Sequence, residues 1–430
     1  MIPTTINYLM KKSHIHHYVP QWYQRRFLAT ANTAYFYLDL QPEIVIHHGV
    51  SHTKRALWRW GPARCFYKEN LYTLKFGKST SDAMERFFFG AVDSEGAQAA
   101  AHFADYQGVT AGTGTAVQDL AAYMGAQRFR TPRGLDEIKK RAFFGNQGPN
   151  AVMVALQSVF QSYTTMWMEG VWEFVSAKQS PTKFIVSDNP VTFYCKVMFP
   201  SEWTYPDDPS LKQIGTRTLF PLGLESCLII THLQLARHPS STPTEFRENA
   251  RYYGQTAMHT GEIQFGRELD EDEVLRINYI LKRRATHYIA ASNEEWLYPE
   301  RHVSTTEWKN LDHDWFLLPN LWKVPFTSQI VMGGEKWSWA MDEYGRNPGH
   351  PGYRNKRMRD QDWARREVGK REWAKKRAGK PVAQIDKREH GEVDDKLMYE
   401  FLQQEGLLPP DTDSQDHQPA EEPQRDEPTD

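Results

Sequence analysis

The sequence predicts a mixed α/β fold of the α+β kind: a central β-sheet with an inserted helical block, followed by a disordered, charged carboxyl-terminal tail. Three observations carry this reading. Short apolar runs of strand length occur at 34–50 and again from residue 183. Between them, from about 79 to 178, apolar residues recur at the spacing of a helix face. From Tyr344 the composition turns strongly basic over 345–382 and strongly acidic over 383–430.

The run at 14–27, HIHHYVPQWYQRRF, sets imidazoles beside guanidinium groups and aromatics. Pro20 lacks a backbone donor and biases Val19 to an extended conformation, so it marks the change from strand to helix. From Gln21 onward the residues suit a short helix. AYFYLDL (34–40) and EIVIHHGV (43–50), on either side of Gln41-Pro42, read as a hairpin or as two neighbouring strands. Over 79–106, Met84, Phe87, Phe88, Ala91 and Val92 fall at helical spacing, with Ser81 or Asp82 available as a cap. Helices follow at 113–130 and 135–144, parted by Thr131-Pro132, and the longest helical pattern runs over 151–178. Residues 183–187 read as a strand and Asp188-Asn189-Pro190 as a turn. The stretches 191–199, 217–220 and 226–231 are extended, 271–284 is helical, and 287–291 is a last buried strand. The core domain therefore spans 14–300, with its helical block at 79–178. A Trp- and Pro-rich extension follows at 301–344.

Composition narrows the class. The 430 residues include 14 Trp, 20 Tyr and 22 Phe, enough aromatic surface to build a core over most of the chain. Cys65, Cys195 and Cys227 are far apart and odd in number, which argues against a disulfide framework and a CxxC metal site and fits a reducing compartment. Lys11 and Lys12 follow the short apolar start, unlike the order in a signal peptide. No run approaches the roughly 20 apolar residues that span a bilayer. The expectation is a cytoplasmic protein with no membrane segment.

The basic segment holds an internal repeat, WARREVGK (363–370) and WAKKRAGK (373–380). A ten-residue step falls about 80° short of whole helical turns, so Trp363 and Trp373 do not share a face. This argues against a buried amphipathic helix and for a phosphate-binding surface at 354–380. The acidic stretch reads as disordered, apart from a short helical pattern at 394–404.

Several ordered landmarks resemble one family. His16-His17-Tyr18-Val19-Pro20-Gln21 with Arg25, Arg26 and Phe27 opens the series. Asn70-Leu71-Tyr72, then Glu85 and Asp93, then Gln127 and Arg130-Thr131-Pro132 follow. Ser187-Asp188-Asn189-Pro190-Val191 and Pro221-Leu222 complete it. In order and spacing these resemble the bacterial family catalogued as domain of unknown function 4238, over roughly 14–300. The resemblance marks positions and implies no chemistry. Signatures of P-loop, zincin, α/β-hydrolase and kinase sites are absent.

Two functions follow as expectations. The first is a metal-assisted phosphodiesterase or nuclease-like hydrolase, with His17, Glu85 and Asp188 as catalytic groups and candidate ligands for a divalent ion such as Mg or Mn. Gln21, Arg25, Gln127, Arg130 and Asn189 would then bind substrate. Arginine neutralises phosphate, a carboxylate suits a hard cation, and an imidazole moves a proton near neutral pH. For each group a structural reading competes: His17 bonded to a carbonyl, Glu85 paired with Arg130, Asp188 closing a turn. The second function is a non-enzymatic protein that binds nucleic acid through 354–380, with stacking tryptophans. Convergence of the named side chains favours the enzyme and dispersal favours the binder.

Overall fold

The computed structural model describes residues 15–378, apart from 31, 49, 73, 77, 78, 82–88, 141–161, 203, 204, 248–259, 325–328, 335, 336 and 343–345. Glu85 and the acidic segment 383–430 thus lie outside the described residues.

β1 (Ile15–His17) leads through Pro20, at φ −59°, into α1 (Gln21–Arg25), where the sequence places the change. β2 (Tyr35–Asp39) follows. β3 (Ile44–His47) and β4 (Val50–Thr53) make a separate exposed hairpin, and β5 (Leu57–Trp60) returns to β2. Both apolar runs at 34–50 are strands, but they do not pair with each other. The two sides of β2 are taken by β5 and by a strand some 250 residues away in the chain. β6 (Tyr67–Glu69) pairs antiparallel with β1, and β7 (Leu74–Phe76) with β8 (Ser79–Ser81). Ser79-Thr80-Ser81 is therefore extended and not the start of a helix, since Ser and Thr gain little in a helix interior.

The helical block holds α2 (Gly90–Ala104), α3 (Thr113–Arg130) and α4 (Pro132–Lys140). Gly134 permits the sharp α3–α4 turn, because a Cβ there would sit 2.2 Å from the Arg128 carbonyl oxygen. Residues 162–168 are helical, but the helix expected to reach 178 gives way to β9 (Gly170–Ser176). Val171, Trp172, Phe174 and Val175 are buried on both faces of a central strand. Such a continuous apolar run has no period that separates it from a buried helix.

β10 (Val186–Ser187), β11 (Thr192–Tyr194), β12 (Arg217–Pro221) and β13 (Ser226–His232) come next. They are followed by α5 (Leu233–Arg237), β14 (Gln264–Glu268), α6 (Glu271–Arg284) and β15 (Tyr288–Ala291). A hairpin, β16 (Gln329–Gly334) and β17 (Trp337–Asp342), precedes the last helix, α7 (Lys356–Ala378). Helix α6 has the expected bounds because a capping box fixes its start: Glu273 N donates to Asp270 Oδ1 at 2.8 Å, and Asp270 N to Glu273 Oε2 at 3.2 Å.

The fold class is mixed α+β, with the larger strands divided between two sheets in place of one central sheet. Their orders are β10-β15-β2-β5 and β11-β12-β13-β9-β14. Helices α2, α3 and α6 pack into the main core with residues of both sheets. The 301–344 extension belongs to this core as well, through Trp308, Leu311, Phe316 and Leu317.

The basic repeat departs most from expectation. Residues 356–378 form one helix, and Trp363, Ala364, Val368 and Ala374 on it are buried. A second apolar cluster of Val171, Leu235, Trp315, Leu318, Leu321 and Val324 carries Trp373 against it. The 80° between the tryptophans is no obstacle, because α7 is covered over an arc wider than one stripe. Gly369 makes the approach close enough: a Cβ there would meet Pro239 Cδ at 2.6 Å. Several cations of the segment are engaged inside the fold. Arg377 bonds Glu273 at 2.7 Å, Lys376 lies 3.8 Å over the Trp315 ring, and Lys370 pairs with Glu367 at 2.8 Å.

Truncation after Gly345 should therefore melt well below the full chain and expose the second apolar cluster to a hydrophobic dye. Trp363→Ala alone should cost about 3–5 kcal/mol, the range for deleting a buried large aromatic. Chemical denaturation of the three proteins measures both effects. A second expectation concerns acid. His232 is 6% exposed, and burial holds its imidazole down at about 4 despite a bond to the Leu211 carbonyl. Between pH 6.5 and 4 the unfolded state binds a proton that the folded state refuses, so stability falls as pH falls. His232→Phe should remove on the order of 3 kcal/mol of that pH dependence, read as the difference between two unfolding curves.

Candidate functional site

The sequence motifs meet around the end of β1. Adjacent strand residues face opposite ways, and the two imidazoles divide accordingly. His16 is buried, accepts from Tyr72 N at Nδ1 (3.0 Å), and stacks on the Tyr72 ring at 5.3 Å. It is a core histidine. His17 faces outward and is half-buried. Its Nε2 lies 3.3 Å from the Ala63 carbonyl oxygen, and the Gln21 amide nitrogen is 3.5 Å from the same atom. Gln21 Oε1 in turn accepts from Arg25 at 3.1 Å. Burial lowers the His17 pKa, the Ala63 carbonyl opposes this, and the Arg130 and Arg25 guanidiniums add to the lowering. These effects favour the neutral form of the imidazole. With its proton on Nε2, facing Ala63, the basic lone pair is on Nδ1.

Gln127 and Arg130, expected to bind substrate, hold the motif in place instead. Gln127 Nε2 donates to the Tyr18 carbonyl at 2.8 Å. Arg130 donates to the His17 carbonyl at 3.0 Å and makes a bidentate pair with Asp93 at 2.6 and 3.2 Å. The acid on Arg130 is Asp93; the expected partner, Glu85, lies outside the described residues. Both side chains are buried, and the bonds fix two consecutive residues of the β1 exit. Helix α1 grips the Pro221-Leu222 motif in the same manner. Tyr23 Oη donates to the Pro221 carbonyl at 2.5 Å and Arg26 Nε to the Leu222 carbonyl.

Asp188 closes the loop before β15. Its carboxylate accepts from the backbone nitrogens of Thr286 (2.8 Å), His287 (2.6 Å) and Tyr288 (3.0 Å). Burial raises its pKa and these three donors oppose the rise. These three bonds take up most of the carboxylate's acceptor capacity and give Asp188 a loop-closing role. Asn189 is also buried, accepting from Arg128 at 3.0 Å and donating to the Arg284 carbonyl at 3.2 Å. Among the described residues no group of three or more His, Cys, Asp or Glu is placed to hold a metal ion.

Two features escaped sequence reasoning. Arg128, between the two motif residues of α3, is fully buried and pairs with Glu137 at 2.5 Å and Asp208 at 2.8 Å. Its signal was the Gln127-Arg128-Phe129-Arg130 run, read for its outer members only. The second is an aromatic row beginning at His17. The His17 ring lies 5.8 Å from Tyr67, which is 43% exposed. Tyr67 neighbours Tyr288, whose phenol is raised by burial and then by Asp39, Asp188 and Tyr67. Tyr288 stacks on Tyr37 at 4.9 Å, Tyr37 on Trp60 at 5.8 Å, and Trp60 on Trp58 at 5.0 Å. Direct pairing of Tyr37 with Trp58 and of Tyr35 with Trp60 puts these rings on one face of the β2–β5 edge. The Trp58-Arg59-Trp60 alternation was its signature.

Residues 15–165 match the profile of the family described as a protein of unknown function, DUF4238. Over these residues the chain is similar to that family. The matched segment holds β1, α1, the aromatic strands and the Gln127–Arg130 anchor, while Asp188, Asn189 and Pro221 lie beyond it. Comparisons with curated proteins and with solved structures give no match.

Asp188→Ala should lower the unfolding free energy by about 3 kcal/mol or more, because three buried donors lose their acceptor. Asp188→Asn keeps one carbonyl oxygen and should lose less. Urea denaturation of the pair checks the order; equal and small losses would return Asp188 to the list of free functional groups.

Proposed function

We propose that the protein binds single-stranded nucleic acid along the aromatic row, with His17 positioned to move a proton at a phosphodiester. The observation that carries this reading is a set of partly accessible rings, with Tyr67 against the His17 imidazole and Tyr288, Trp60 and Trp58 linked through the buried Tyr37. Aromatic faces accept unpaired bases whatever their sequence, at about 1–3 kcal/mol per base. Exposed Arg25, Arg64 and Lys68 border the row and suit the backbone phosphates. Duplexes hide the base faces that such a row would meet.

This reading moves the main contact away from 354–380. Trp363 is buried and Trp373 packs on the second cluster, so neither is free to stack. Exposed Lys356, Arg357, Arg365 and Lys375 supply longer-range attraction to phosphate. In a cleavage step the lone pair on His17 Nδ1 would take the proton of an attacking hydroxyl or water as the new phosphorus–oxygen bond forms, while the bond to the leaving oxygen breaks and that oxygen departs with a proton from solvent.

A labelled single-stranded oligonucleotide should bind in fluorescence anisotropy, with affinity falling steeply as salt rises. Trp58→Ala and Tyr67→Ala should each weaken binding by roughly tenfold or more, from the stacking energy. The same oligonucleotides, incubated with and without Mg²⁺ or Mn²⁺, test for cleavage. His17→Gln should abolish turnover and retain binding. Absence of binding, or unchanged affinity in both aromatic variants, would overturn the reading. Binding with no turnover under any condition would reduce it to a binding protein.

A further inference from the structure

A cavity of about 520 Å³ opens between α5, the loop after it and the first turns of α7. That volume is typical of small-molecule sites. It shares no residue with the aromatic row. Its walls set Arg237, Arg247, Arg346 and Arg365 beside the carboxylates of Glu169, Glu245 and Asp362, with Asp342 4.0 Å behind Arg346. Arg247 pairs with Glu169, and His238 Nε2 donates to Asp362 across the cleft, tying the end of α5 to α7.

The histidines in the wall add a different chemistry. Among the described residues, His232 Nε2 and His238 Nδ1 are buried and have no hydrogen-bond partner. His232 bonds the Leu211 carbonyl, and with Nε2 unpartnered that bond falls to Nδ1–H. The tautomer is thereby set, and Nε2 presents a lone pair. A lone pair in a closed wall is costly to leave unmet, and it calls for a donor, not for an anion. The cleft thus asks for a ligand that is anionic at one end and carries a hydroxyl.

We propose that the cleft between α5 and α7 binds a small hydroxylated phosphate monoester. Its phosphate would lie against Arg237 and Arg365, and a hydroxyl would donate to His232 Nε2. A phosphate dianion uses several guanidinium groups at once, which matches the arginine content of the walls. Sugar phosphates and nucleoside monophosphates share this chemistry. Because α7 supplies one wall, an occupied cleft also holds α7 to the core.

Titration calorimetry on the full chain with ribose 5-phosphate, AMP, inorganic phosphate and ribose tests the proposal. Ribose 5-phosphate or AMP should bind, inorganic phosphate should bind about tenfold or more weakly, and ribose should give no heat. Tighter AMP identifies a nucleotide site; ribose 5-phosphate binding as tightly as AMP identifies a sugar-phosphate site. Arg365→Glu, at an exposed position, should weaken either ligand about tenfold, with the folded state of the variant checked by its melting curve. His232→Phe should remove the preference over inorganic phosphate. Trp58→Ala should leave cleft binding unchanged, which separates this site from the nucleic-acid surface. The proposal fails if no phosphate probe binds at millimolar concentration, if Arg365→Glu binds like the parent, or if binding disappears with Trp58→Ala.

Discussion

The guanidinium of Arg130 is the interaction on which the amino-terminal half depends. It is buried at the end of α3, and taking such a charge out of solvent costs several kcal/mol unless it is paired. Burial lowers its pKa, but the Asp93 carboxylate more than offsets this, so the group stays charged. The remaining donor holds the His17 carbonyl, and the Phe89 ring covers the guanidinium at 4.9 Å. One ion pair thus joins α2, α3 and β1. With Gln127 on Tyr18, it fixes the backbone on which the His17 ring is mounted. The outward imidazole owes its position to buried groups that never meet solvent.

The same economy recurs around Asp208. Arg128 at 2.8 Å, Arg133 at 3.1 Å and Arg284 at 3.6 Å converge on its carboxylate. Arg284 is pulled down to about 10 by burial, with Asp208 opposing and the other two arginines adding to the fall. Asn189 completes the cluster, so the Ser187–Pro190 loop is held from both sides: by Asp188 on β15 and by Asn189 on Arg128. These motifs are too polar to be explained by apolar packing. Their polarity serves the interior, where each group meets a backbone or charged partner.

Helix α7 shows how charge can mislead when read locally. Its lysines and arginines look like a solvated, phosphate-seeking face. In the fold their partners come from Glu273, Trp315, Trp322 and the Val324 carbonyl, all remote in sequence. Long cationic side chains bury their stems and place their heads on rings and carboxylates. The segment is therefore a wall of the fold, and the cleft between it and α5 is formed by that packing.

The sequence by itself determined the α+β class, the strand-to-helix change at Pro20, helix α3 and the bounds of α6. These rest on local physics: proline geometry, capping, and the 3.6-residue period. Tertiary structure decided what period cannot express. It chose β9 over a longer helix, because a strand buried on both faces carries no alternation. It gave β2 its partners across 250 residues, split the strands into two sheets, and turned Gln127, Arg130, Asp188 and Asn189 from candidate ligand contacts into anchors. It also aligned His17 with four rings from β5, β6 and β15. Which side of a polar residue faces solvent depends on long-range partners, and no local pattern encodes them.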